Sequence, residues 1–206
     1  MVSIIDYGSG NLGSVEKAVS FLGHECVITK DYDTILSSKQ VILPGVGDFG
    51  DVMQGLKKNN LINAIYDVID KNIPFLGICV GLQVLFKSSE ENKAAHGLGI
   101  FDGKVLKIPA NTGLKIPHMG WNSLDVIKPD SRLMAKIPLK SHMYFVHSYY
   151  LEAAQKEIVC AKTNYGVNIE CAIEHKNVFA IQFHAEKSGK AGLNVLNNFL
   201  EINTEG

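Results

Sequence analysis

Cys79, His184 and Glu186 are the residue types of nucleophilic acyl chemistry: a thiol, a base, and an acid able to orient the base. Cys79 closes the apolar run Phe75-Leu76-Gly77-Ile78, which has no polar alternation and suits a buried parallel strand. From Val80 to Phe86 the apolar residues Val80, Val84 and Leu85 fall at helical spacing, so the chain is expected to turn from strand to helix near Cys79. Gly77 and Gly81 stand two residues before and two after it. That is the pattern of a nucleophile elbow with cysteine in place of serine, the glycines leaving room for a strained turn and close helix–strand packing. A thiol at the positive end of a helix favours thiolate. Backbone N–H groups there, that of Val80 included, are placed to stabilise an oxyanion. A lone cysteine is as readily a buried core thiol, so the partners must decide.

Of the seven histidines, His184 closes the apolar strand Val178-Phe179-Ala180-Ile181-Gln182-Phe183, the end of an open α/β sheet where chemistry is carried. Glu186, two residues on, can accept from the second imidazole nitrogen and fix tautomer and orientation. Taken alone His184 would be structural; beside a cysteine elbow and an acid it reads as part of a Cys–His–Glu triad. His142 and His147 are an odd number apart on one expected strand, so they face opposite sides and cannot share a metal. His24, His96 and His175 lie in turn-like contexts and read as solvated. The four cysteines are scattered without a C-x-x-C pair, so neither a zinc site nor a disulfide framework is indicated, and no cofactor is implied.

Around these residues the 206-residue chain alternates strand and helix in its first half. Residues 2–7 read as a strand, followed by the turn Gly8-Ser9-Gly10-Asn11-Leu12-Gly13 and a helix carrying Val15, Ala18, Val19 and Leu22. Residues 25–29 form a second strand, then comes a polar stretch through Ser38, then a third strand at 40–43 stopped by Pro44. Helical patterns follow at about 51–57 and 61–71. The expected fold class is therefore α/β: a mostly parallel central sheet flanked by helices, in a single domain spanning 1–206. The G-x-G-x-x-G of Gly8, Gly10 and Gly13 does not carry a dinucleotide reading, because the second strand ends in Thr29-Lys30-Asp31 without a clear ribose-binding acid. The second half gives short strands at 98–101, 104–108, 122–127, 142–151, 158–163, 167–174 and 178–184, with Asp102-Gly103 as a hairpin signal. A last helix runs from about 189 to 200. Apolar residues make up 46% and the formal net charge is −1, which gives no electrostatic argument for nucleic acid or an anionic membrane as partner. The start lacks the pattern of a secretory signal and no apolar run approaches membrane-spanning length, so a cytoplasmic location is expected.

Gly77-Ile78-Cys79-Val80-Gly81-Leu82-Gln83 together with Gln182-Phe183-His184-Ala185-Glu186 resembles the class I (triad) glutamine amidotransferases. Four further blocks resemble those of the glutaminase subunits of imidazole glycerol phosphate synthase: Asp6-Tyr7-Gly8-Ser9-Gly10-Asn11-Leu12, Pro44-Gly45-Val46-Gly47-Asp48-Phe49-Gly50, Pro117-His118-Met119-Gly120-Trp121-Asn122 and Tyr144-Phe145-Val146-His147-Ser148-Tyr149. The resemblance covers nearly the whole chain. It implies Cys79 as nucleophile, His184 as base and then acid, and Glu186 as its orienter, releasing ammonia from glutamine through a glutamyl thioester. It implies oxyanion donors at the Val80 N–H and at Val46 or Gly47, in a segment that reorients on activation. It places Gly45, Gln83, His147, Ser148 and Tyr149 around the substrate glutamine. It turns Asn11, Met119, Trp121, Asn122 and Tyr144 towards a cyclase subunit, a (β/α)8 barrel that receives the ammonia in histidine biosynthesis. The plain reading of Met119, Trp121 and Tyr144 is core, but a Met–aromatic cluster in an expected loop suits an interface.

Ala185 stands where that family usually carries proline, and Val80 where it usually carries leucine. Alanine can adopt the φ that proline fixes, so the triad is expected to survive. Two other readings stay open on sequence: a paralogue that delivers ammonia to another synthetase, such as one amidating a nucleotide sugar, and a non-catalytic assembly subunit. A cysteine peptidase is more distant, since nothing resembles an extended peptide groove or a pro-segment.

Overall fold

The computed structural model describes residues 1–110 and 113–202. Val2–Ile5 forms β1, Leu12–Phe21 α1, Cys26–Thr29 β2, Tyr32–Leu36 α2 and Gln40–Gly45 β3. Helices α3 (Phe49–Lys58) and α4 (Leu61–Asp70) lead into β4 (Phe75–Cys79), α5 (Val80–Gln83) and β5 (Phe86–Ser89). The second half supplies β6 (Phe101–Lys107), β7 (His118–Ser123), β8 (Asp125–Val126), β9 (His142–His147) and β10 (Tyr149–Ala153). β11 (Val159–Asn164), β12 (Asn168–His175), β13 (Val178–Ile181) and α6 (Gly189–Leu200) follow.

The main sheet runs β2-β1-β3-β4-β13-β12-β10-β6-β5, with β11 and β8 attached beside β12. Its first five strands are all parallel, fully buried at β1, β3, β4 and β13, and flanked by helices, as the unalternated apolar runs require. The antiparallel pairs from β13 onward extend that sheet. β7 and β9 pair as a separate two-stranded ribbon. β4 lies between β3 and β13, with Ile78 beside both Pro44 and Ile181, so the carboxyl ends of three parallel strands converge on one place.

Several elements differ from the expectation. The helix expected over 80–86 is one turn, Val80–Gln83, and Phe86 already starts β5. The thiol therefore meets a single turn, too short for a developed macrodipole. The polar stretch before Ser38 contains α2, capped by the Asp31 side chain on the Thr34 N–H at 2.8 Å. Pro44 does not stop β3: it pairs with Ile78, beyond the last residue of β3 that pairs with β1. Asp102-Gly103 is no hairpin but part of the continuous β6. A Cβ on Gly103 would sit 2.7 Å from the Glu152 carbonyl oxygen on β10, so the glycine serves close strand approach. The expected loop around Met119 is strand β7, and the strand expected over 142–151 breaks at Ser148.

Candidate active site

Cys79 ends β4 with φ 57° and ψ −111°, a left-handed φ that a non-glycine residue holds only where the surroundings impose it. The surroundings are backbone. A Cβ on Gly81 would lie 2.1 Å from the Leu43 carbonyl oxygen, one on Gly77 2.5 Å from the Gly81 oxygen, and one on Gly45 2.3 Å from the Gly81 nitrogen. Three glycines thus let α5 dock directly on β3 and β4, and the strain falls on the residue between them.

His184 follows β13, the parallel neighbour of β4, and its N–H donates to the Tyr144 carbonyl at 2.9 Å. Its Nδ1 meets Glu186 Oε1 at 2.8 Å, with both side chains 3% exposed or less. Among the described residues the other carboxylate oxygen, Oε2, has no hydrogen-bond partner, so Glu186 spends its bonding on His184. Ala185 heads a 3-10 turn, Ala185–Lys187, that closes this contact without proline. Ser188 Oγ ties the turn down, donating to the His184 carbonyl at 2.6 Å and accepting from the Tyr144 N–H at 2.9 Å. Burial disfavours the imidazolium, but hydrogen bonds to Cys79 and Glu186 and the charges of both outweigh it and raise the His184 pKa to about 9.

Cys79 and His184 open on a cavity of about 290 Å³, near the small end of the range for small-molecule sites. Val46, Gly47, Val80, Gln83, His147, Ser148 and Tyr149 line it, as expected; Gly45 does not. The Val80 N–H opens α5 and so has no intrahelical acceptor. The Val46 N–H is engaged, donating to the Tyr7 hydroxyl at 3.2 Å. Gln83 Nε2 donates to the Tyr149 carbonyl at 3.1 Å and to Gln182 Oε1 at 3.0 Å, and Gln182 Nε2 approaches Cys79 Sγ at 3.6 Å.

Three lining residues escaped sequence reasoning: Glu91, Val146 and Lys187. Glu91 lines the cavity, its Oε2 accepting from the Phe49 N–H at 2.9 Å, and burial raises its pKa. It sits between elements, where no periodicity reports it. Lys187, adjacent to Glu186, also lines the cavity. Among the expected interface residues, Met119 and Trp121 are 61% and 56% exposed, which excludes the core reading. Trp121 packs edge-on to Tyr144 across the ribbon. Asn11 holds the N-cap position of α1 without a side-chain cap bond, its Oδ1 accepting from Ser14 Oγ at 2.9 Å. Asn122 turns inward, its Nδ2 donating to the Asn164 carbonyl at 2.8 Å. His142 is exposed and His147 buried, on opposite faces of β9. His175 lies on β12, not in a turn, and is exposed.

Residues 3–202 match the family model described as glutamine amidotransferase class-I. A protein of Caldanaerobacter subterraneus named imidazole glycerol phosphate synthase subunit HisH is 47% identical over 98% of each chain. Proteins of the same name from Methanococcus maripaludis and Methanocaldococcus jannaschii are 43% and 45% identical over 98% of this chain and all of theirs. Among solved structures, one described as a glutamine amidotransferase aligns with TM-score 0.75 at 17% identity over 97% of both chains. The structure of PurLQS from Thermotoga maritima aligns with TM-score 0.76 at 19% identity, over 97% of this chain and 96% of that one.

Proposed function

The chain belongs to the class I glutamine amidotransferase family, and we propose that it is the glutaminase subunit of an imidazole glycerol phosphate synthase, acting in histidine biosynthesis. It works as a single amidotransferase domain in the cytoplasm, paired with a cyclase subunit. The observation that carries this reading is the convergence of strained Cys79 and the His184–Glu186 pair, from adjacent parallel strands, on one glutamine-sized cavity.

The chemistry follows from the positions. Cys79 Sγ attacks the side-chain amide carbon of glutamine, and the amide oxygen takes the negative charge of the tetrahedral intermediate. The Val80 N–H faces that oxygen, and a second donor comes from Val46 or Gly47. His184, protonated and oriented by Glu186, passes its proton to the departing nitrogen; ammonia leaves and a glutamyl thioester remains. Water, deprotonated by His184, then releases glutamate. Glu91 supplies a carboxylate for the α-ammonium group of the substrate, while Gln83 and the Ser148–Tyr149 backbone hold the rest. Where Val46 is that second donor, its N–H is held by Tyr7 in the lone chain, which leaves the oxyanion site one donor short and its turnover low. The exposed Met119–Trp121 ribbon, with Asn11 and Tyr144 nearby in role, docks the (β/α)8 cyclase that takes up the ammonia.

The test is glutamate release from glutamine, with and without such a cyclase subunit and its nucleotide ligand, with Cys79→Ala as blank. Stimulation by the cyclase, abolished in Cys79→Ala, is the expected result. Cys79-dependent release that this cyclase leaves unchanged would assign the chain to another acceptor, and no release in any mixture would make it a silent assembly subunit.

A further inference from the structure

Two buried histidines meet at the cavity wall, where His147 lines the cavity and His118, outside the lining, pairs with it; neither takes a step in the chemistry above. His118 on β7 and His147 on β9 are register partners, 2% and 6% exposed, with His118 Nδ1 3.0 Å from His147 Nε2. His147 Nδ1 lies 2.8 Å from the Tyr149 carbonyl oxygen. Burial lowers the pKa of His118 to about 4 and that of His147 to about 3, so both rings are neutral near pH 7.

Neutrality fixes every proton in the chain. A carbonyl oxygen only accepts, so His147 carries its proton on Nδ1 and leaves Nε2 as an acceptor. His118 must then donate from Nδ1, and its own Nε2 is the acceptor that Asn122 Nδ2 approaches at 3.4 Å. The ring of His118 is clamped between Phe145 and Tyr165, stacked at centroid distances of 4.8 and 3.9 Å. At the other end the Tyr149 carbonyl also accepts from Gln83 Nε2, so one oxygen anchors two of the side chains that line the cavity.

We infer that His118 is a positioning residue for the substrate loop: by donating to His147 it fixes the tautomer that pins the Tyr149 carbonyl, and with it the Ser148–Tyr149 backbone and Gln83. Without that donor His147 is free to carry its proton on Nε2, and Nδ1 then opposes the Tyr149 oxygen with a lone pair. The loop and Gln83 lose their common anchor while Cys79, His184 and Glu186 keep theirs. The cost therefore appears in glutamine binding and not in the chemical step. This inference rests on the glutaminase reading for its substrate, although the proton pattern itself does not.

Two substitutions separate positioning from packing. His118→Phe keeps a ring between Phe145 and Tyr165 and removes the donor; His118→Asn keeps an amide donor near the Nδ1 position and removes the stack. With the cyclase-activated enzyme, His118→Phe is expected to raise KM for glutamine about 10-fold with kcat within about 2-fold and Tm near that of the parent. His118→Asn is expected to lower Tm while leaving KM within about 3-fold. Nitrogen-15 NMR of the imidazoles is expected to show His147 protonated on Nδ1 in the parent and no longer exclusively so in His118→Phe. A KM that follows Tm across the two variants, or a parent His147 protonated on Nε2, overturns the inference. A parent that releases no glutamate from glutamine refutes the glutaminase reading itself, a result separate from either.

Discussion

His184 carries the most informative perturbation at the site. Its pKa of about 9 lies above the usual histidine value of about 6.5, and the sign has two consequences. The proton needed by departing ammonia is in place at neutral pH, so kcat/KM is expected to hold a plateau and fall as pH rises through about 9. The stability that the raised pKa confers is likewise full below about pH 6.5 and is lost as pH climbs through about 9. Glu186→Gln removes one of the groups that raise it. We expect kcat/KM to drop about 10²-fold and the alkaline limb to move to lower pH; a limb that stays near 9 would mean Glu186 does not set it. Tyr7 makes a different prediction. Its hydroxyl accepts from the Val46 N–H, a proposed oxyanion donor, and Tyr7→Phe frees that part-buried N–H. Basal glutaminase activity, measured without the cyclase, is expected to rise about 5-fold, with less stimulation left for the partner to add. The residue-level chemistry was legible because Cys79, His184 and Glu186 sit at strand ends with distinctive neighbours. Glu91, Tyr7 and His118 were not legible: the contact that singles out each joins residues far apart in the chain, and nothing local to them reports it.

Elements long enough to show a period were legible, and short ones were not. Helix α6 lies where the apolar spacing placed it, and α1, α3 and α4 differ only at their ends. Five-residue α2 spans too little for a helical period to emerge and is announced only by its Asp31 cap. The one-turn α5 was extended too far, because Val84, Leu85 and Phe86 are buried for a different reason: the chain has already turned into β5. The glycines around Cys79 were read as leaving room for a strained turn and close helix–strand packing, and the structure shows that packing as backbone against backbone at Gly77 and Gly81. Gly81→Ala is therefore expected to be severe. Its Cβ meets the Leu43 carbonyl oxygen at 2.1 Å, with no flexible side chain able to yield, and α5 must lift off β3. We expect a loss of at least about 2 kcal/mol by chemical denaturation, together with loss of glutaminase activity. Gly13→Ala, with nothing near its Cβ, serves as the control and should unfold like the parent.

At the scale of the whole molecule, the parallel half of the sheet gathers the chemistry at its carboxyl edge, and the β7–β9 ribbon lies between that site and an exposed Met–Trp face. Among the described residues no helix is long and apolar enough to cross a membrane. Met119 and Trp121, exposed on one face of β7, form the kind of apolar patch that marks an interaction surface. If Trp121 anchors the cyclase, Trp121→Ala should weaken the complex about 30-fold or more by titration calorimetry, leaving the basal glutaminase rate of the lone chain unchanged. Unaltered affinity would move the docking face elsewhere. The proposed chemistry turns on one atom, Cys79 Sγ, acting on a glutamine held in the cavity. The most direct measurement is mass spectrometry of the chain after reaction with 6-diazo-5-oxo-L-norleucine, a glutamine-shaped electrophile, with and without excess glutamine. The expected result is one adduct per chain, mapped to Cys79, slowed by glutamine and absent in Cys79→Ala. No adduct, or one on the half-buried Cys26 that glutamine does not protect, would contradict it.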